Sequence, residues 1–355
     1  MADGPLRLVQ VGAGGMGQAW LRTITENPRV ELVGLVDLDV ELARTAAADA
    51  GLAGVPVGVS IDALGEVGAQ AVINVTVPRA HLPVNAQALR QGLPVLCEKP
   101  LSESLAECLR VAALSEVTRT LLMVSQSRRY WRAVGTLRSQ LEQIGPVELA
   151  GCDFARGPHF GGFRETMPHP LLVDMAIHQF DLARMLLEAD PVSVVAQTWN
   201  PSWSWFDGDA CASAIFTFDS GARFTYTGSW CSPGWETSWN GSWRLAGPHG
   251  SAVWDGDHAP TVQTVDDEPV TGELGDEPEQ IAGSLAEFVH AVRTGITPSG
   301  EVHANIASVA MVLAAIQSAE TDRPVLIADL LDAARTEALA TEPDEAVRAA
   351  LSISG

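Results

Sequence analysis

Short apolar runs alternate with amphipathic stretches through the first third of the chain. Residues 6–11, 30–36, 55–59, 71–75, 95–97 and 121–125 read as strands. Residues 18–26, 81–91 and 102–117 have helical composition between them. Such alternation predicts a parallel, doubly wound sheet with right-handed crossovers over residues 1–125. Beyond Ser125 the pattern changes. Residues 129–143 read as a helix closed by Gly145-Pro146. The runs 147–155, 192–199, 210–218 and 222–230 follow, rich in valine, threonine and aromatics, with a hairpin signal at Asp219-Ser220-Gly221. Helical patterns at 171–187, 279–293 and 302–319 are available to cover one face of that sheet. The predicted fold class is therefore α/β plus α+β. Residues 1–125 form the doubly wound parallel sheet, and residues 126–355 form a mainly antiparallel open sheet covered by helices.

The first strand runs into Gly12-Ala13-Gly14-Gly15-Met16-Gly17 and then a helix. In a strand–GxGxxG–helix unit the first glycine permits a tight turn, the second lets a pyrophosphate approach the backbone, and the third lets helix pack on strand. The second strand ends in Asp37, at the place where a carboxylate accepts hydrogen bonds from an adenosine ribose. This Rossmann signature predicts a bound dinucleotide. Asp37, reinforced by Asp39, would repel a 2′-phosphate, which favours NAD over NADP; Arg44 would oppose that preference if it folds back. Ligands of such sheets lie beyond the carboxyl ends of the strands. Thr76-Val77-Pro78 and Glu98-Lys99-Pro100 fall on those ends, as does Gly12. The expected cofactor-binding set is Gly12, Gly14, Gly15, Met16, Gly17, Asp37, Thr76, Pro78, His81, Glu98 and Lys99, with His81 shaping the Thr76 loop.

Composition sharpens one of these positions. Lys99 is the only lysine among 22 basic residues; all the others are arginine. Arginine stays charged, whereas a lysine amine can trade a proton, so a lone lysine on a ligand-bearing edge suggests a need for that amine. The 44 acidic residues give a net charge of -22, which argues against nucleic acid and against an anionic membrane surface. Five cysteines without a CxxC pair indicate neither a disulfide framework nor a zinc site, and fit a reducing cytoplasm. The amino terminus lacks the basic and apolar regions of a secretion signal. The weakly polar run 302–319 is broken by His303, Asn305 and Ser308, as expected of a packed helix rather than a membrane span.

The second chemical element is the predicted helix 171–187. Asp174 and His178 lie four residues apart on one face, with Asp181 three further along. A carboxylate one turn from an imidazole can fix its tautomer and stabilise its protonated form, the pairing that general acid–base chemistry uses. The pair lacks a third ligand at metal-site spacing, so no metal is expected. Eight of the ten tryptophans fall between Trp199 and Trp254. They suit the core or a subunit interface, with Trp203, Trp205 and Trp235 in loops as possible sugar contacts. A wide aromatic sheet face predicts a homodimer or homotetramer through the second domain.

Together, Gly12-x-Gly14-x-x-Gly17, Asp37, Thr76-Val77-Pro78 with His81, Glu98-Lys99-Pro100 and Asp174-x-x-x-His178 resemble the glucose-fructose oxidoreductase, inositol dehydrogenase and MocA (Gfo/Idh/MocA) family. The resemblance extends to Gly300-Glu301 and Arg323-Pro324-Val325. It implies NAD(P)-dependent hydride transfer at a secondary alcohol of a sugar or cyclitol, with Lys99, Asp174 and His178 carrying the catalysis. The expected substrate-binding set is Lys99, Arg129, His159, Asp174 and His178. Residues 158–171, with His159, Gly161, Gly162 and His169, look unlike the inositol dehydrogenases, which leaves the particular sugar open. Two other readings stay in view: a redox-neutral, NAD-retaining glycosidase on the same fold, and a non-catalytic NAD(P)-sensing module.

Overall fold

A computed structural model describes residues 4–353. The first residues on which the absence of a secretion signal was read, Met1 to Asp3, lie outside them. In chain order the first elements are β1 (Leu6–Val11), α1 (Gly15–Thr25), β2 (Val30–Val36), α2 (Val40–Asp49), β3 (Val57–Gly58), β4 (Ala71–Asn74), α3 (Pro78–Arg90), β5 (Val95–Glu98), α4 (Leu105–Thr118) and β6 (Leu122–Ser125). Then follow α5 (Arg132–Leu141), β7 (Leu149–Ala155), α6 (Ile177–Leu187), β8 (Pro191–Trp199), β9 (Cys211–Phe218), β10 (Arg223–Ser229), β11 (Ser242–Gly247), β12 (Gly250–Trp254), β13 (Thr261–Thr264) and β14 (Val270–Thr271). The chain ends with α7 (Gln280–Thr294), α8 (Val302–Thr321), β15 (Val325–Leu326), α9 (Ile327–Thr341) and α10 (Glu345–Ile353).

These elements divide into two compact units. The first comprises residues 1–127, 281–306 and 333–355, and the second residues 128–280 and 307–332. In the first unit, six strands pair in the order β3-β2-β1-β4-β5-β6, all parallel. Strands β4, β5 and β6 are buried along their whole length, as expected when both faces of a parallel sheet are covered. The β1–α1 turn closes because Gly12 takes φ 107°; a Cβ there would sit 2.5 Å from the Val75 carbonyl oxygen. The carboxyl-terminal segment of the chain belongs to this unit as well. Helix α10 packs on α4, and Arg110 Nε meets Glu342 Oε2 at 2.6 Å.

The second unit is built on a nine-stranded sheet in the order β14-β13-β12-β11-β7-β10-β9-β8-β15. Only the β7–β10 pair is parallel; the others are antiparallel. Strict alternation, with Phe216, Phe224, Tyr226 and Trp243 inward, gives one apolar face. Phe180 of α6 seals it, meeting Phe216 edge-on at 4.8 Å and Tyr226 at 5.2 Å. A register row of the other face runs Val195, Ile215, Thr225, Gly151, Arg244 and Val253. Of these, Val195, Ile215, Thr225, Arg244 and Val253 are exposed.

The stretch read from sequence as one helix, 171–187, has two parts. Leu171–Ala176 winds as a π-helical turn before α6 begins at Ile177. Helix α8 is the one helix among the described residues long and apolar enough to cross a membrane by length and composition. Its polar positions are nevertheless placed as in a protein core. Ser318 Oγ accepts from Ala196 N at 3.0 Å and donates to the Arg323 carbonyl at 2.7 Å, and Ser308 Oγ donates to Asp181.

Candidate functional site

In the first unit the sequence-predicted residues gather on one sheet edge. Gly14 caps α1, whose first turn begins at Gly15, and a Cβ on either glycine would meet nothing within 4 Å. Gly17 is different: a Cβ there would lie 2.4 Å from the Gly12 carbonyl oxygen. Gly12 and Gly17 therefore close the turn, while Gly14 and Gly15 leave room above it and free the helix N-terminus to receive a phosphate. Asp37 Oδ2 accepts from Ala13 N at 2.8 Å and Oδ1 from Asp39 N at 2.9 Å. Each oxygen keeps a lone pair for a ribose hydroxyl. Arg44 is turned onto Glu41. This cradle fits a dinucleotide without a 2′-phosphate.

The other two loops of that edge are tied together beneath the surface. His81 is fully buried, and its ring nitrogens face the Pro100 carbonyl at 2.8 Å and the Thr76 carbonyl at 3.0 Å. Burial lowers its pKa, opposed by those two carbonyl bonds, and the ring spans the two loops. Asn74 Oδ1 holds Thr76 by both its backbone N–H, at 3.2 Å, and its hydroxyl, at 2.7 Å. Lys99 follows β5, and its N–H donates to Glu98 Oε2 at 3.1 Å, while Trp20 Nε1 donates to Glu98 Oε1 at 2.8 Å. Burial pushes the Glu98 carboxyl up, against the Trp20 bond and the Lys99 charge. Glu98 and His81 thus act as supports for the loop that carries Lys99. Asn74 and Trp20 were not singled out from the sequence, because side chains that only brace a loop carry no motif of their own.

In the second unit Asp174 lies in the π-helical turn and His178 at the start of α6, buried. π-turns occur as local insertions in α-helices, frequently at functional sites. Asp174 Oδ2 accepts from Arg164 Nε at 2.7 Å. Arg129, expected at the substrate, makes a two-bond pair with Asp181: Nε to Oδ2 at 2.6 Å and Nη2 to Oδ1 at 2.7 Å. Ser308 Oγ donates to the same Asp181 Oδ1 at 2.7 Å. His159 stacks on Trp205, with ring centroids 3.7 Å apart. The clustered tryptophans divide: Trp230, Trp243 and Trp254 are core, whereas Trp203 and Trp235 are exposed.

Residues 6–126 match the profile "Oxidoreductase family, NAD-binding Rossmann fold" of Gfo/Idh/MocA proteins, and residues 140–253 match the "GFO/IDH/MocA C-terminal domain". The chain belongs to the Gfo/Idh/MocA family. Its six-stranded unit is the family's NAD-binding domain. Among relatives, the uncharacterized protein y4oX of Sinorhizobium fredii is 27% identical over 94% of this chain and 98% of its own. Inositol 2-dehydrogenase 1 of Saccharopolyspora erythraea is 33% identical over 53% of this chain and 56% of its own, so the chain spans little more than half of that relative. An Agrobacterium radiobacter oxidoreductase, solved with NAD+, L-tartaric acid and magnesium, superposes with TM-score 0.82 at 19% identity, over 92% of this chain and 99% of its own. The last likeness establishes the shared fold.

Proposed function

We propose that this Gfo/Idh/MocA oxidoreductase is an NAD-dependent dehydrogenase of a secondary alcohol on a sugar, glycoside or cyclitol. The observation that carries the reading is Lys99. The chain's only lysine follows the carboxyl end of a buried strand on the dinucleotide edge, its N–H fastened to Glu98, which Trp20 fastens in turn. The name of the inositol 2-dehydrogenase relative supports a polyhydroxylated ring as substrate.

Bound NAD supplies the hydride acceptor. His178 takes the hydroxyl proton, and Lys99 places positive charge beside the developing alkoxide or relays the proton. Asp174 holds substrate hydroxyls. Asp37, between Ala13 and Asp39, sets the preference for NAD, and Arg44, engaged by Glu41, does not offset it. All five cysteines are buried thiols, in keeping with a reducing compartment. The aromatic face expected to make the oligomer contact is covered by α6, so the opposite face of the nine-stranded sheet, with exposed Val195, Ile215, Val253 and Leu326, is the surface through which a homodimer or homotetramer forms. A dilute monomer in sedimentation would remove the oligomer.

The test of the reaction is a panel of pyranoses, cyclitols and glycosides with NAD and NADP, followed by nicotinamide absorbance and product analysis. Net reduction of NAD with a keto product is expected. Aglycone release without net reduction would point instead to the redox-neutral glycosidase, and silence across the panel to a sensing module.

A further inference from the structure

Residues 158–171 deliver a cation to Asp174. Gly161 and Gly162 take φ 68° and 70°, turning the chain into a short 3-10 turn, Gly162–Thr166. Arg164 sits in this turn and donates from Nε to Asp174 Oδ2 at 2.7 Å. Its guanidinium lies over the rings of Phe163, at 4.9 Å, and Phe160, at 5.5 Å. Phe160 is itself anchored edge-on against buried Trp230 at 5.9 Å. The other titratable groups of the segment are directed elsewhere: His159 stacks on Trp205, Glu165 Oε1 takes the Gly161 N–H at 3.0 Å, and His169 Nε2 faces Glu320 Oε1 at 3.4 Å.

We infer that Arg164 is a positioning residue for Asp174. It fixes the carboxylate within the π-helical turn and holds it ionised, which leaves proton acceptance to His178. Three features of the geometry combine in this role. A guanidinium remains charged at any pH the protein survives, so the pairing does not titrate away from the arginine side. An opposite charge at hydrogen-bonding distance favours the ionised carboxylate, by roughly one to three pH units in comparable pairs. The two phenylalanine faces limit the directions the planar guanidinium can take, so the carboxylate is held in place as well as charged. A carboxylate in this state is a weak base and a strong acceptor, suited to gripping substrate hydroxyls. The catalytic consequence, though not the effect on Asp174, rests on the dehydrogenase reading above.

The experiment is a carboxyl-carbon NMR titration of the intact chain labelled at aspartate, with the Asp174 signal assigned from Asp174→Asn. It compares wild type, Arg164→Lys and Arg164→Ala. The Asp174 midpoint is expected to rise by about one pH unit in Arg164→Ala, with Arg164→Lys recovering at least half of the shift. With the best substrate of the panel, kcat/KM at neutral pH should fall about tenfold in Arg164→Ala, and Arg164→Lys should recover part of the loss. An unchanged midpoint in Arg164→Ala overturns the assignment, as does a shift that Lys fails to restore in a variant shown to be folded. A midpoint that moves while the wild type turns over no sugar or cyclitol upholds Arg164's action on Asp174 and removes the dehydrogenase reading instead.

Discussion

Single positions in the glycine turn separate folding from cofactor binding. A methyl group at Gly12 or Gly17 collides with backbone oxygen at 2.5 Å or 2.4 Å, whereas at Gly14 it points into open space. Gly14 also has an ordinary φ of -66°, so alanine is unstrained there. Gly12→Ala and Gly17→Ala should each cost about 2 kcal/mol or more of stability. Gly14→Ala should leave the Tm unchanged and weaken NAD binding at least tenfold, because the methyl occupies the path of the pyrophosphate. Thermal melts and NAD titration of the three variants check this, and a destabilised Gly14→Ala with normal affinity would contradict it. The glycines, Asp37 and Lys99 were legible in the sequence because the dinucleotide edge is written in contiguous motifs. Arg164 was not. It lies in a different element from Asp174, so no single helical or strand period relates the two, and the contact depends on a glycine-driven turn.

At the scale of elements, α6 is fixed by a buried ion pair. Arg129 and Asp181 side chains are 7% and 1% exposed, and Ser308 of α8 completes the carboxylate's shell. Removing one partner leaves a buried charge uncompensated, so Arg129→Met and Asp181→Leu should each cost about 3–5 kcal/mol. The double variant should recover most of that loss, since an apolar pair of similar volume replaces the ions. Denaturant unfolding of the four proteins measures the coupling, and additive losses would deny it. The first turn of α8 carries a histidine paired with two carboxylates. His303 bonds to Glu301 at 2.8 Å and to Glu116 of α4 at 2.7 Å, and the Glu301 bond leads in raising its pKa. A raised imidazole pKa contributes stability in full below its ordinary value of about 6.5 and loses it as pH rises through the folded value. His303→Gln should therefore lower the Tm most near pH 6 and hardly at all near pH 9, with salt reducing the gap; a deficit constant with pH would exclude the imidazolium. The sequence pattern gave the strands of the doubly wound sheet nearly to the residue, because buried parallel strands are continuous apolar runs. It missed the π-turn at Leu171–Ala176, which shares the composition of an α-helix, and the strands β11 to β15, several of them too short for a periodicity to register.

For the whole molecule, the parts combine an NAD-binding domain with an open-sheet unit whose π-helical turn and α6 carry Asp174 and His178. The first unit takes in residues 281–306 and 333–355, so the chain leaves it and returns more than once. A linear pattern of runs and turns cannot carry this, because the return rests on contacts distant in sequence, such as Arg110 with Glu342. The proposed reaction class rests on the order of motifs along the chain. The central claim is that hydride passes from a ring carbon to NAD, and isotope transfer reads it directly. Deuterium placed on the carbinol carbon of the best panel substrate should appear at C4 of the reduced nicotinamide, one per turnover. Lys99→Arg should slow that transfer at least tenfold. Label returned to the sugar as an aglycone departs, or no transfer to any cofactor, would contradict it.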